Sequence, residues 1–227
     1  MKSMISDRKA QILESIIEEY ITSAMPVSSG RVFDICDMGV SCPTIRNEMA
    51  DLTDLGYLEQ PHTSAGRVPT EKGYRFFVND LLEKFGEENG ENVKNTYGSQ
   101  QKIFNLKSFA DNISNEVKAA VIFSNDYREL KFVGLKQVFE NPEFSTCSDV
   151  ISFIEEIEGL ENYLGDILDS SDSGVKVFIG SENPFFERHN YSMISRAFGN
   201  IFISIVGPMR MDYEKSISIF DKLIKTL

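Results

Sequence analysis

The chain has 227 residues, 41% of them hydrophobic and 26% charged, with a formal net charge of −12, the make-up of one or two ordinary globular domains. Nothing in it approaches the run of roughly 20 apolar residues that a membrane span needs, and its first residues lack the apolar core of a secretion signal, so the expected location is cytoplasmic. Three widely spaced cysteines (Cys36, Cys42, Cys147) and two histidines exclude a disulfide framework and argue against a metal centre, leaving three reduced, mostly buried thiols as the expectation.

Along the chain, Ile12, Leu13, Ile16, Ile17, Tyr20 and Ile21 recur at helical spacing with Glu14, Glu18 and Glu19 opposite. That predicts a helix from Asp7, as its N-cap, to Tyr20, ended by Pro26. Ser28 or Ser29 caps a short second helix through Cys36, with Val32, Phe33 and Cys36 turned inward. A third helix starts near Ser41, with Pro43 in its first turn, where a missing N–H costs nothing. Ile45, Met49 and Leu52 form its apolar stripe, and Gly56 supplies its stop. Tyr57-Leu58 reads as a strand entering a loop between Pro61 and Pro69. Thr70 then caps a fourth helix that buries Tyr74, Phe77, Val78, Leu81 and Leu82. Three helices, a strand, a loop and a helix make a winged helix-turn-helix plan for residues 1–85.

Gly86 to Gln101 is rich in Gly, Glu, Asn and Gln and nearly empty of apolar residues, the composition of a polar linker. The remainder, residues 102–227, alternates helix and strand patterns. A helix is expected over Ile103 to Val117 with Phe104, Phe109 and Ile113 buried. Strands are expected at 119–123, 130–135, 175–179, 191–198 and 201–206, helices across 149–168 and a last helix from Asp212 to Ile224. The fold class is therefore α+β, a DNA-binding unit followed by an α/β unit.

If Ile45 faces the core, the 100° step of a helix turns Asn47 nearly opposite, flanked by Thr44, Arg46, Ala50 and Asp51. Arg46 can grip guanine and Asn47 adenine in paired hydrogen bonds, and Ala50 can meet a thymine methyl. Ser41 and Thr44 at the helix N-terminus suit phosphate. In the loop, small residues (Thr63, Ser64, Gly66) let backbone approach a sugar-phosphate chain, while Arg67 and His62 offer cationic or hydrogen-bonding contacts. Lys72 and Arg75 fall on the polar side of the fourth helix. Against this surface stand Glu48, Asp51 and Asp54, and Glu48 is the point at which the DNA reading is weakest. Residues 1–85 hold nine Lys and Arg against thirteen Asp and Glu, so weak nonspecific affinity and strong salt dependence are expected.

The run Thr44-Ile45-Arg46-Asn47, then Gln60-Pro61-His62-Thr63-Ser64-Ala65-Gly66-Arg67-Val68-Pro69-Thr70 and Gly73-Tyr74-Arg75, resembles the DNA-binding domain of HrcA-type heat-inducible transcription repressors. Asn141-Pro142-Glu143-Phe144, Ile179-Gly180-Ser181-Glu182-Asn183 and Gly207-Pro208-Met209-Arg210-Met211-Asp212-Tyr213 are similar to its C-terminal landmarks. The resemblance implies a GAF-like second domain interrupted by an inserted dimerisation segment, here missing or reduced. It also implies a homodimeric repressor of chaperone genes on an inverted-repeat operator in double-stranded DNA, released on heat stress, with a chaperonin as modulator. No cofactor is implied, and no phosphate loop, nucleophile elbow or metalloprotease motif supports an enzyme. The alternative is a small-molecule-responsive regulator whose second domain holds a pocket lined by Phe178, Phe185, Phe186, Tyr191, Phe198 and Phe202.

Overall fold

The computed structural model describes residues 5–36, 39–62, 65–88, 106–125, 129–163, 165–167, 174–198 and 201–226. Its contacts divide the chain into Met1–Asp80 and Leu81–Leu227.

In the first unit, helix α1 (Asp7–Ser23) is capped by Ser6, whose side chain accepts from the Lys9 N–H, one residue earlier than the expected Asp7. It runs three residues past Tyr20 and stops before Pro26 because Ala24 turns into the left-handed region at φ 55°. Its apolar stripe of Ile12, Leu13, Ile16 and Ile17 is fully buried. Ser28 caps α2 (Ser29–Ile35). That helix has room for one inward face only, and Val32 fills it. Phe33, expected inside, is 49% exposed, because one residue of helix turns it by about 100° from Val32. Helix α3 (Cys42–Asp54) begins at the Ser41 cap with proline in its first turn, and Gly56, at φ 77°, carries the chain out of it. Strands β1 (Leu58–Glu59) and β2 (Val68–Pro69) pair antiparallel. Val27 adds a third rung by exchanging both backbone hydrogen bonds with Arg67 at 2.9 and 2.8 Å. Thr70 caps α4 (Glu71–Glu88), its hydroxyl accepting from the Gly73 N–H at 3.2 Å. The helix continues to Glu88, so the expected linker start at Gly86 falls inside it, and the rest of that stretch lies outside the described residues.

The second unit is an antiparallel sheet in the order β4-β3-β7-β6-β5. Its strands are β3 (Ala120–Asn125), β4 (Lys131–Val133), β5 (Lys176–Ile179), β6 (Tyr191–Phe198) and β7 (Ile201–Pro208). Helix α5 (Leu106–Val117) packs on β3, and the last helix, α8 (Tyr213–Thr226), packs on α5 and β6. Between β4 and β5 the chain forms α6 (Leu135–Phe139), a 3-10 turn (Pro142–Phe144), α7 (Cys147–Gly159) and a second 3-10 turn (Leu160–Tyr163). Phe109 is only half-buried, because Ala110, Ile113 and Val117 take the inward face of α5. Cys147, expected inside, is exposed at the start of α7, while Cys36 and Cys42 are half-buried. Among the described residues no helix is long and apolar enough to cross a membrane.

The three C-terminal stretches quoted above make bonds within this unit. Glu143 forms an ion pair with Arg210, one bond being Nη2 to Oε2 at 3.0 Å. The Asn141 amide donates to the Lys118 and Val138 carbonyls at 3.0 and 2.9 Å. The Tyr213 hydroxyl donates to the Met209 carbonyl at 2.6 Å. Glu182 accepts from the Ile179 N–H at 3.2 Å, and Asn183 from the Phe185 N–H at 3.0 Å.

Candidate nucleic-acid interface

Helix α3 is divided lengthwise. Ile45, Glu48, Met49 and Leu52 are buried, while Arg46, Asn47, Ala50 and Asp51 are exposed. Neither Arg46 nor Asn47 has a hydrogen-bond or ion-pair partner among the described residues. Ser41 and Thr44 stand at the N-terminal end, their hydroxyls 3.0 Å apart.

Glu48 is not on the outer surface where a reading of the helix face put it. Its side chain is 8% exposed, turned toward the start of α1. Arg8 Nε donates to Oε1 at 2.8 Å, Arg8 Nη2 reaches the same oxygen, and Lys9 Nζ lies 3.2 Å from Oε2. Lys9 also reaches Asp51 at 3.0 Å. Burial pushes the Glu48 carboxyl upward, but the hydrogen bonds from Arg8 and Lys9 outweigh it and hold the group below its ordinary value. The same two carboxylates raise the Lys9 ammonium, Asp51 more than Glu48. The acid that conflicts with a phosphate-facing helix is thus neutralised from α1, and Asp51 is partly neutralised with it.

The other flank of α3 meets the loop. Thr53 donates its hydroxyl to the Met49 carbonyl at 2.8 Å and accepts from Arg67 Nε at 2.9 Å. Arg67 is therefore braced on α3, and its two terminal nitrogens have no protein hydrogen-bond partner among the described residues. The loop closes on itself: Ala65 N–H donates to the His62 carbonyl at 2.8 Å and Gln60 Nε2 to the Ala65 carbonyl at 3.0 Å. His62 is exposed; Thr63 and Ser64 lie outside the described residues.

Two residues expected at the DNA surface have structural tasks. A Cβ on Gly66 would stand 2.3 Å from the Val27 carbonyl oxygen, so the α1–α2 connection itself requires the glycine. Lys72 donates to the Leu55 carbonyl at 2.7 Å, with its ammonium 4.4 Å from the centroid of the Tyr57 ring. It closes the C-terminal end of α3, where a cation is favoured. Arg75 is half-buried on α4. Sequence reasoning missed Arg8, Lys9 and Thr53. Nothing local marks the first two, which matter only because α1 and α3 cross; Thr53 carries a signal, one helical turn past Met49.

The aromatics expected around a ligand pocket are mostly core. Phe185, Phe186, Tyr191 and Phe202 are buried and Phe178 is half-buried, while the side chain of Phe198 lies outside the described residues. Phe186 and Phe153 meet the Tyr191 ring edge-on at 6.0 and 5.0 Å.

Residues 70–217 match the family model described as the HrcA protein C-terminal domain. The chain belongs to the HrcA family. A heat-inducible transcription repressor HrcA of Acetivibrio thermocellus is 45% identical over 113 residues, 50% of this chain and 29% of that protein. The one of Brevibacillus brevis is 59% identical over 80 residues, 35% of this chain and 24% of that protein. These matches thus span under a third of the relatives' length. The HrcA of Carboxydothermus hydrogenoformans aligns at 27% identity over 334 positions, 99% of this chain and 97% of that protein. With 227 residues here, more than a hundred positions of that alignment have no counterpart in this HrcA chain. A crystal structure described as a hypothetical protein superimposes with a TM-score of 0.79 at 19% identity, covering 98% of this chain and 97% of that one, a likeness of fold.

Proposed function

We propose that this HrcA-family chain is a cytoplasmic transcription repressor of heat-shock genes that binds an inverted-repeat operator in double-stranded DNA and is released on heat stress. In this reading residues 1–85 are a winged helix-turn-helix domain, α3 is its recognition helix, and the loop between β1 and β2 is its wing. The polar stretch beyond α4, up to 101, is a linker to a GAF-like regulatory and dimerisation domain at 102–227, a reading supported by the five-stranded antiparallel sheet with helices packed on it. The observation that carries the proposal is the outward pair Arg46 and Asn47 on a helix whose acid next to that pair, Glu48, is drawn inward by Arg8 and Lys9.

Arg46, Asn47 and Ala50 read base edges; Ser41 and Thr44 take phosphate at the helix start; Arg67 and His62, with Thr63, Ser64 and the Gly66 backbone, lie along the neighbouring strand. Arg75 adds a backbone contact, and Lys72 serves by holding the end of α3. Two copies, as a homodimer, set two recognition helices on two half-sites. A chaperonin acts on the repressor by changing the folded, DNA-competent population. Fluorescence anisotropy with a labelled inverted-repeat duplex and a scrambled duplex of equal composition tests the proposal. Tight binding to the first and at least tenfold weaker binding to the second, about 1.4 kcal/mol, is the expected result. Equal affinity for both at physiological salt overturns it.

A further inference from the structure

The second unit has a cleft of about 320 Å³ lined by Ile122, Leu130, Phe132, Ile157, Glu158 and Glu161, within the roughly 300–1,000 Å³ of small-molecule sites. It lies where the C-terminal end of α7 meets the β3–β4 edge of the sheet. Its floor is aliphatic, and Phe132 is left 45% exposed. Among the described residues its only charged lining side chains are the two glutamates. Neither has a hydrogen-bond or ion-pair partner among the described residues. By contrast, Glu156 accepts from the Glu187 and Arg188 N–H groups at 3.0 and 2.8 Å.

Their position makes these two acids costly. Glu158 sits in the last turn of α7 and Glu161 in the 3-10 turn that follows, and no basic residue occupies that last turn. The end of a helix carries about −0.5 of an elementary charge and favours cations. Two carboxylates added there concentrate negative potential over an apolar floor with one exposed aromatic face, and an organic cation is attracted to that combination of anion and ring. Strand register supplies a second observation on the same face. Phe132 pairs with Ile122, Ile122 with Ser204, so Ser204 lies one strand in from the cleft. It is 0% exposed, and its hydroxyl has no hydrogen-bond partner among the described residues.

We infer that this cleft binds a small organic cation with an apolar body, an alkylammonium or guanidinium compound, the charge held by Glu158 and Glu161 and the body laid on Ile122, Leu130, Phe132 and Ile157. The site is independent of the DNA reading and is tested without DNA. The full chain is titrated with n-hexylammonium, with 1-hexanol and with ammonium, following amide NMR shifts of Leu130, Phe132 and Ile157. Saturable shifts are expected with hexylammonium alone, weakened about tenfold or more in the Glu158→Gln/Glu161→Gln double variant. These surface substitutions leave the fold intact, which the melting midpoint verifies. Equal affinity for 1-hexanol, or an unchanged affinity in the double variant, overturns the inference. So does self-association that protects the same amides while hexylammonium shifts nothing, which makes a second copy the occupant.

Discussion

Gly66 shows how a residue that reads as part of a binding surface also serves the fold. Its missing side chain lets β2 approach the α1–α2 connection closely enough for Val27 and Arg67 to exchange backbone hydrogen bonds. Gly66→Ala places a methyl against a carbonyl that cannot retreat. The expected cost is about 1–3 kcal/mol, the range for overpacking, with a lower melting midpoint and faster amide exchange at Val27 and Arg67. An unchanged exchange rate at those two amides would show that the contact is slack. The spacing of small residues in this loop was legible in the sequence, but its reason was not, because the partner atom belongs to a segment forty residues away. Arg46 is the opposite case. Its exposure follows directly from the Ile45, Met49 and Leu52 stripe, and the structure leaves it without a protein partner among the described residues. Arg46→Ala is expected to cost about 1–3 kcal/mol on the inverted repeat and to relax base preference. Arg67→Ala is expected to weaken every duplex alike. Anisotropy against single-base variants of the operator separates the two.

At the level of elements, α3 is fixed by three neighbours: Arg8 and Lys9 of α1 on one flank, Arg67 on the other and Lys72 of α4 at its end. The α1 clamp has a pH signature. The Glu48 carboxyl is held below its ordinary value in the folded chain, so the unfolded chain binds its proton first as pH falls. Its contribution is therefore present above the ordinary carboxylate value, about 4.3, and is lost as pH drops through the lower folded value. Glu48→Gln is expected to lower the melting midpoint at pH 7 and to flatten the acid side of the stability curve. Thermal melts from pH 7 to pH 3 check this; parallel curves for the two proteins would mean that the clamp contributes nothing. The helices themselves were readable from periodicity and caps: Ser28, one of the two candidates, caps α2, Thr70 caps α4, and α3 starts next to Ser41 as expected. Their ends were less so. Ala24 stops α1 by a left-handed turn that alanine rarely adopts, and no residue type announces it. The strand order of the second unit was out of reach, because register is decided by side chains that meet only across the sheet.

Across the molecule, charge bears most directly on the proposed function. Arg8, Lys9 and Arg31 are each paired with a carboxylate, and Lys72 with a carbonyl. That leaves five of the nine cations in residues 1–85 for phosphate, and it argues for a shallower salt dependence than the expected one. Each neutralised phosphate contributes about −0.9 to the slope of log affinity against log salt, so two or three contacts give a slope of about −2 to −3 per chain. Titrations between low and high potassium chloride measure it. A slope several times steeper would point to basic residues outside those described. Selectivity in such a protein falls to base-edge contacts, which makes Arg46 and Asn47 more consequential than the acidic total suggests.

The reciprocal bonds between Val27 and Arg67 put β2 in the middle of a small ribbon, with β1 on one side and the α1–α2 connection on the other. A hairpin moored in that way cannot swing as an independent flap. What its base offers a duplex in the proposed function, Arg67 above all, is already placed before docking, and docking there forfeits little freedom of motion. On the proposed function, the corollary is that heat withdraws the base of this arm only by breaking the Val27–Arg67 bonds as well.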